Sequence, residues 1–157
     1  MRVVLLAATM LCFTAIAAQA QPSKMNPAGS DPTTLTGALR DVVSPWLDDA
    51  MQDVGTNPTG WKRQWCARSV NLWLQKSGRR GCAGNTAISC LSAGRKLSDP
   101  QVGALAVMQH HVGIVTEISG GQVTLVSGNH SGRSGARSVG IGKYARARVV
   151  AYVWPEQ

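Results

Sequence analysis

The hydrophobic pattern changes its period near residue 100, and this change constrains the fold more than any other feature. Before it, apolar residues recur at the three- and four-residue spacing of amphipathic helices. After it, short Val-rich runs are separated by Gly, Ser and Asn turns, which is typical of antiparallel strands. Helices that precede a series of strands indicate an α+β fold. We therefore predict N-terminal helices packed on one antiparallel β-sheet.

Three helices are predicted in the first part of the chain. The spacing of apolar residues over 35–43 predicts the first helix. Ser44 and Pro45 begin the second helix as its N-cap and first helical residue, and Gly55 ends it. The third helix is predicted over 66–78, with an apolar face formed by Ala67, Val70, Trp73 and Leu74.

Five strands are predicted in the second part of the chain. Each is a short, Val-rich run bounded by turn residues, and none is long enough for a buried helix. The glycine-rich stretch between the third and fourth runs is predicted to be a loop. The predicted strands cover residues 102–108, 111–118, 122–128, 138–142 and 147–154.

The first twenty residues have the order of a secretory signal peptide. Arg2 precedes an uncharged, mostly apolar run, and an A-x-A cleavage site ends at Ala20. We predict a signal peptide over 1–20, a flexible leader over 21–33 and a single domain over 34–157. No other stretch is apolar and long enough to cross a bilayer. The expected mature protein is a periplasmic or secreted monomer without stable membrane insertion.

Basic residues outnumber acidic ones in this chain. There are 16 Lys and Arg against 8 Asp and Glu, which gives a formal net charge of +8. Thirteen of the basic residues but three of the acidic ones lie in 62–157. A basic body attracts polyanions such as cell-wall polymers, anionic membranes or nucleic acids. We expect no nucleic-acid partner, because the protein is predicted to be exported and its basic residues are not interleaved with stacking aromatic residues.

The number and spacing of the cysteines predict one disulfide and one free thiol. Cys12 leaves with the signal peptide, so three cysteines remain in an oxidising compartment. Cys82 and Cys90 are eight residues apart across a turn-rich segment and are predicted to form a disulfide. Cys66 is then the leftover thiol, a candidate nucleophile. No CxxC or HExxH spacing is present, so we expect neither a zinc site nor any other cofactor.

Cys66 opens the third predicted helix, where the positive end of the helix dipole is expected to lower the pKa of its thiol. A thiolate nucleophile needs a general base, and the base needs an orienting partner. His111 at the head of one predicted strand can be the base. Asn129 at the end of the next strand can hold its imidazole.

The segments WCARSVNLWLQKSG, QHHVGIV and VSGNHSG resemble motifs of the CHAP-like cell-wall peptidases, relatives of the NlpC-type papain-like fold. The resemblance covers about residues 45–155 and implies a papain-like catalytic domain. It matches Cys66 to the nucleophile, His111 to the general base and Asn129 to the orienting amide. It implies that an amide bond of a peptidoglycan stem peptide is hydrolysed through a thioester, without metal. His110 can serve as the base instead, but His111 is preferred because it directly precedes Val112.

Other residues near Cys66 are candidates for substrate binding. The Cys66 backbone N–H is the first expected oxyanion donor, and Gln64 or the Trp65 region the second. Trp61 and Trp65 either line a substrate groove or pack in the core. Three basic pairs are candidates for binding stem-peptide carboxylates, unless they are simply solvated: Lys62-Arg63, Arg79-Arg80 and Arg95-Lys96. The alternative function is a non-catalytic, basic cell-wall-binding or toxin-like module of the same fold.

The hairpin between the second and third predicted strands decides which residue faces His111. A two-residue Gly-Gly turn places His130 opposite, whereas a three-residue loop places Asn129 opposite. We predict the three-residue loop or an equivalent bulge, because that register pairs β-branched and apolar neighbours better. Asn129 is then expected within hydrogen-bond reach of His111. If Asn129 is turned away, His130 or Ser127 becomes the candidate.

Overall fold

A computed structural model describes residues 44–131 and 136–157 of the chain. The predicted signal peptide, the leader and the helix over 35–43 lie outside the described residues. Within the described ranges, no helix is both long enough and apolar enough to cross a membrane.

Two α-helices lie in the described part of the chain, α1 (Pro45–Gln52) and α2 (Cys66–Lys76), together with two short 3-10 helices, Ile88–Ser92 and Arg146–Arg148. Pro45 is the first residue of α1 and Ser44 precedes it, as predicted. The helix ends before the predicted Gly55, because the chain turns after Asp53 and Val54 forms a parallel bridge with Val139. α2 begins at Cys66, and Gly78 follows it with a φ of 65°, as its predicted role as helix stop requires.

The strands form one six-stranded sheet in which neighbouring strands are antiparallel. The prediction of an α+β fold with an antiparallel sheet is confirmed. The strands are β1 (Gly94–Leu97), β2 (Leu105–Val107), β3 (Val112–Ser119), β4 (Gln122–Ser131), β5 (Arg137–Ala145) and β6 (Ala151–Pro155). Their order across the sheet is β1-β6-β2-β3-β4-β5, and β1 is not among the predicted runs.

A bulge sets the register of the β3–β4 hairpin. Ser119 pairs with Gln122, so the turn contains two residues, as in the first of the two predicted cases. The register then shifts between Val115 and Glu117, and beyond the shift Ile114 pairs with Val126. The bulge therefore restores the register that was predicted for the His111 end, and the prediction of a bulge is confirmed.

Buried clusters lie on both faces of the sheet. We call the face that packs on α1 and α2 the helix side, and the opposite face the far side. Strand β3 contributes Val112 and Ile114 to the helix side and Val115 to the far side. The far-side cluster consists of Ala106, Met108, Val115, Val123, Leu125 and Tyr152, with Leu97, Tyr144 and Val149 packed against it.

The predicted disulfide is present. Cys82 and Cys90 are joined with an S–S distance of 2.03 Å, and Cys66 is a free, buried cysteine. Cys90 is fully buried in the helix-side cluster, and the Cys82 backbone N–H donates to Asn71 Oδ1 on α2 at 2.6 Å. The disulfide therefore fixes the segment between the two cysteines beside α2.

Candidate active site

Cys66 is the first residue of α2 and faces the helix side of the sheet, with 6% of its surface exposed. Backbone hydrogen bonds favour the thiolate: one involves Val112 at the start of β3, and the others involve Ala67 and Cys66 in the first turn of α2, as the position at a helix start predicts. Burial opposes them and is the larger effect, so the pKa of the Cys66 thiol is raised from its usual value. The expectation of a lowered pKa is therefore wrong: the thiol is protonated at neutral pH.

The Cys66 side chain opens into a cavity of about 420 Å³. His110 and Asn129 line the same cavity, which we call the thiol cavity. The loop before α2 and the segment between the bridged cysteines form its walls. The remaining lining residues are Trp61, Arg63, Gln64, Arg68, Asn85, Thr86, Ala87 and Gln109.

His111 does not line the thiol cavity. Its Nε2 lies 2.9 Å from Ser127 Oγ and 3.3 Å from the Tyr144 hydroxyl, and its ring stacks on Tyr144. Since Tyr144 packs against the far-side cluster, His111 lies on the far side of the sheet. Burial, reinforced by the positive charges of His130 and Arg148, lowers the pKa of His111 to about 4.

The predicted contact between His111 and Asn129 is not formed. Asn129 Oδ1 is buried without a hydrogen-bond partner, while His111 is bonded to Ser127 and Tyr144. The register was predicted correctly, but the face was not. His111 precedes Val112, the first residue of β3, whereas His110 lies in the turn between β2 and β3, which the Met108 backbone N–H closes by donating to the His111 carbonyl oxygen. Cys66 and Asn129 therefore share a cavity with His110 and not with His111.

A second irregularity turns Asn129 into the thiol cavity. The pairing of β4 with β5 shifts register between Ser127 and His130, and Asn129 has a φ of 61°. Arg137 Nη1 donates to the Asn129 carbonyl oxygen at 3.1 Å and supports this conformation. An amide side chain tolerates the left-handed region better than most, and such strain is common at functional sites.

Gln64 lines the thiol cavity and also has a positive φ, of 54°. Apart from glycines, Gln64 and Asn129 are the described residues with this backbone conformation. Trp61 lines the cavity too, is 51% exposed, and carries the Arg68 guanidinium 3.6 Å above its ring. These positions agree with the substrate-binding role predicted for Gln64 and Trp61, which stays a prediction.

Trp65 is not available for substrate binding. It is fully buried in the helix-side cluster, and a Cβ at Gly128 would overlap its ring and Ser69. The side chain that precedes Cys66 therefore packs in the core, which was the other interpretation of the sequence. The N–H of its indole is buried without a hydrogen-bond partner.

The thiol cavity combines a thiol, an imidazole and a buried, unpartnered amide oxygen, groups that together can support nucleophilic attack with proton transfer. No family model matches the chain, and no curated protein or solved structure was found to match it.

Proposed function

We propose that this protein is an exported cysteine amidohydrolase with a papain-like catalytic domain, and that it cleaves an amide bond in peptidoglycan stem peptides. The observation that carries the proposal is the free Cys66 at the start of α2, in one cavity with His110 and Asn129. The motif resemblance and the basic charge support a cell-wall substrate. The disulfide is compatible with an exported protein.

The proposed reaction begins with a protonated thiol. His110 removes the proton from Cys66 Sγ as the sulfur attacks the carbonyl carbon of the substrate amide. The tetrahedral oxyanion accepts hydrogen bonds from the Cys66 backbone N–H and the Gln64 side-chain amide. The C–N bond then breaks, His110 gives the proton to the leaving amine, and a thioester remains on Cys66. Water activated by His110 hydrolyses the thioester, which releases a carboxylate and restores the thiol.

Asn129 is proposed to orient His110. Asn129 lines the same cavity as His110, and its Oδ1 has no hydrogen-bond partner among the described residues. An imidazole N–H is a suitable donor for this oxygen, and the bond would direct the other ring nitrogen toward the sulfur. Catalytic hydrogen bonds often tighten only when the substrate is bound.

The proposal is tested on purified peptidoglycan with the mature chain and its Cys66→Ala variant. Mass spectrometry of the released muropeptides should show two products for each cleaved amide, one with a new amine end and one with a new carboxyl end. Their masses should sum to the mass of the uncleaved peptide plus one water. The Cys66→Ala variant should release none of them. If both chains bind peptidoglycan equally and neither releases products, the amidohydrolase is excluded and the non-catalytic binding module is favoured.

A further inference from the structure

A second cavity adjoins the thiol cavity. Its volume is about 620 Å³, and it shares Arg63, Gln64 and Asn129 with the thiol cavity. Lys62 and Arg137 complete its basic lining. We call it the basic cavity. Because three residues line both spaces, the two cavities are direct neighbours.

The basic cavity contains three cationic side chains and no acidic one among its described lining residues. Within residues 44–131 and 136–157, Lys62, Arg63 and Arg137 form no ion pair. Arg137 donates to the Asn129 carbonyl oxygen, which holds its guanidinium beside the cavity. Three like charges around one space repel each other and are balanced when an anion binds among them.

The other two basic pairs from the sequence have a different environment. Arg95 forms an ion pair with Glu156 at 3.9 Å, and the Arg79 guanidinium lies 5.1 Å from the Trp46 ring centroid. Neither pair lines the thiol cavity or the basic cavity. Of the three pairs, Lys62-Arg63 is therefore the one placed to meet a substrate.

We propose that the basic cavity binds a carboxylate of the substrate and so selects the amide that reaches Cys66. This inference rests on the proposed function. A peptide that spans both cavities places its carboxylate among Lys62, Arg63 and Arg137, and a neighbouring amide beside Cys66. Arginine is well suited to this task, because its planar guanidinium binds both oxygens of a carboxylate.

A stem peptide offers this chemistry from two sources. One is the α-carboxylate that a γ-linked D-Glu leaves free within the chain, and the other is the carboxylate at the C-terminus. Both are single carboxylates next to an amide, so the cavity chemistry is the same for each. The experiment must therefore neutralise them separately.

The test measures binding by the full mature chain carrying Cys66→Ala, so that turnover cannot interfere. Calorimetry compares the synthetic tetrapeptide L-Ala-γ-D-Glu-L-Lys-D-Ala with forms amidated at the D-Glu carboxylate, at the C-terminus or at both. Amidation of the recognised carboxylate should weaken binding about fivefold per lost cation contact, and rising salt should weaken binding of the free acid. Amidation of the other carboxylate should have little effect.

Charge-matched variants separate a specific site from the general basic charge. In the Cys66→Ala background, Lys62→Gln or Arg63→Gln should weaken tetrapeptide binding about fivefold. Each should also reduce the preference for the free acid over the amide. Lys143→Gln is the control, because Lys143 is an exposed cation on β5 that lines neither cavity, and it removes the same charge.

Two outcomes overturn the inference: all four peptides bind alike, or Lys143→Gln weakens binding as much as Lys62→Gln. These results are distinct from failure of the proposed function. Selective binding without muropeptide release by the unmodified chain excludes the hydrolase and supports the basic cavity. Muropeptide release without carboxylate selectivity supports the hydrolase and excludes the basic cavity.

Discussion

His110 and His111 are neighbours in sequence, but the structure gives them opposite environments. His110 is exposed and lines the thiol cavity together with Cys66. His111 is half-buried on the far side, bonded to Ser127 and Tyr144, and its pKa is about 4. His110 lies in the turn between β2 and β3, and His111 directly precedes β3. One residue in the sequence therefore separates an imidazole that lines the thiol cavity from one that is bonded to Ser127 and Tyr144.

The largest expected effect concerns catalysis by the two histidines. His110→Ala should lower kcat for peptidoglycan hydrolysis by about 10²- to 10⁴-fold, the usual contribution of a general acid–base residue. His111→Ala should retain most of kcat in the fraction that is folded, because its ring is directed away from Cys66. Circular dichroism on both variants establishes that each is folded. If His111→Ala is folded but inactive and His110→Ala is active, then His111 is the general base, as the sequence predicted.

The second prediction concerns stability at acid pH. The pKa of His111 is about 4 in the folded protein and 6.5 when unperturbed, so the unfolded chain binds more protons between these values. The free energy of unfolding should therefore fall by about 3 kcal/mol as the pH drops through the range from 6.5 to 4, with little further loss from this group below about pH 3. Urea unfolding at several pH values measures the change.

His111→Gln serves as the control for that measurement, since it removes the titrating ring and keeps a polar side chain beside Ser127. The pH dependence between 6.5 and 4 should become shallower in this variant. His110→Gln is measured beside it as the matched variant, because the His110 ring is exposed. An equal slope in all three chains would show that another group is responsible for the acid sensitivity.

The third prediction concerns the disulfide, which lies on the helix side. Replacing Cys82 and Cys90 together by Ser should lower the free energy of unfolding by about 2–3 kcal/mol, because the unfolded chain regains the freedom of a short closed loop. The segment between them, 85–87, lines the thiol cavity, so this wall loses its covalent anchor. Urea unfolding of both chains without reductant gives the difference. A reductant should destabilise the unmodified chain and leave the double variant unaffected.

The smallest expected effect tests the close packing of β4 on α2. Gly128→Ala would place a Cβ against Ser69 and the Trp65 ring, and such overpacking costs about 1–3 kcal/mol. Gly121→Ala is the matched control, because a Cβ there meets no atom within 4 Å. Thermal melts of the two variants give the comparison. Equal melting temperatures would contradict the close contact between Gly128 and Trp65.

The helix starts and the sheet register could be predicted from the sequence because they depend on local chemistry. Pro45 fixes a helical φ at the first position of α1, and Gly78 provides the positive φ that follows α2. The register at Ile114 follows from matching apolar partners across the β3–β4 hairpin. The short strand β1 (Gly94–Leu97) has no alternation of apolar and polar residues that would mark it as a strand. In the described structure it pairs with β6, which is distant in sequence.

The face occupied by each histidine could not be predicted from the sequence. The stretch 110–115 offers no alternation of polar and apolar residues to show which side chains meet the helices, because residues 112–115 of β3 are buried on both sides. The raised pKa of Cys66 also depends on tertiary packing. A helix start is visible in the sequence, but the burial that outweighs it depends on a packed cluster that includes Val112 and Val126, more than 40 residues away in the chain.

The position of β6 affects the order in which this protein can fold. Its five residues, Ala151–Pro155, come after every other described element, yet they pair with β1 on one side and β2 on the other. A chain made from its N-terminus therefore leaves β1 without a partner until residue 155 has emerged, and the sheet completes only then. During that interval, β1 and the adjacent edge of β2 expose unpaired backbone groups to other chains.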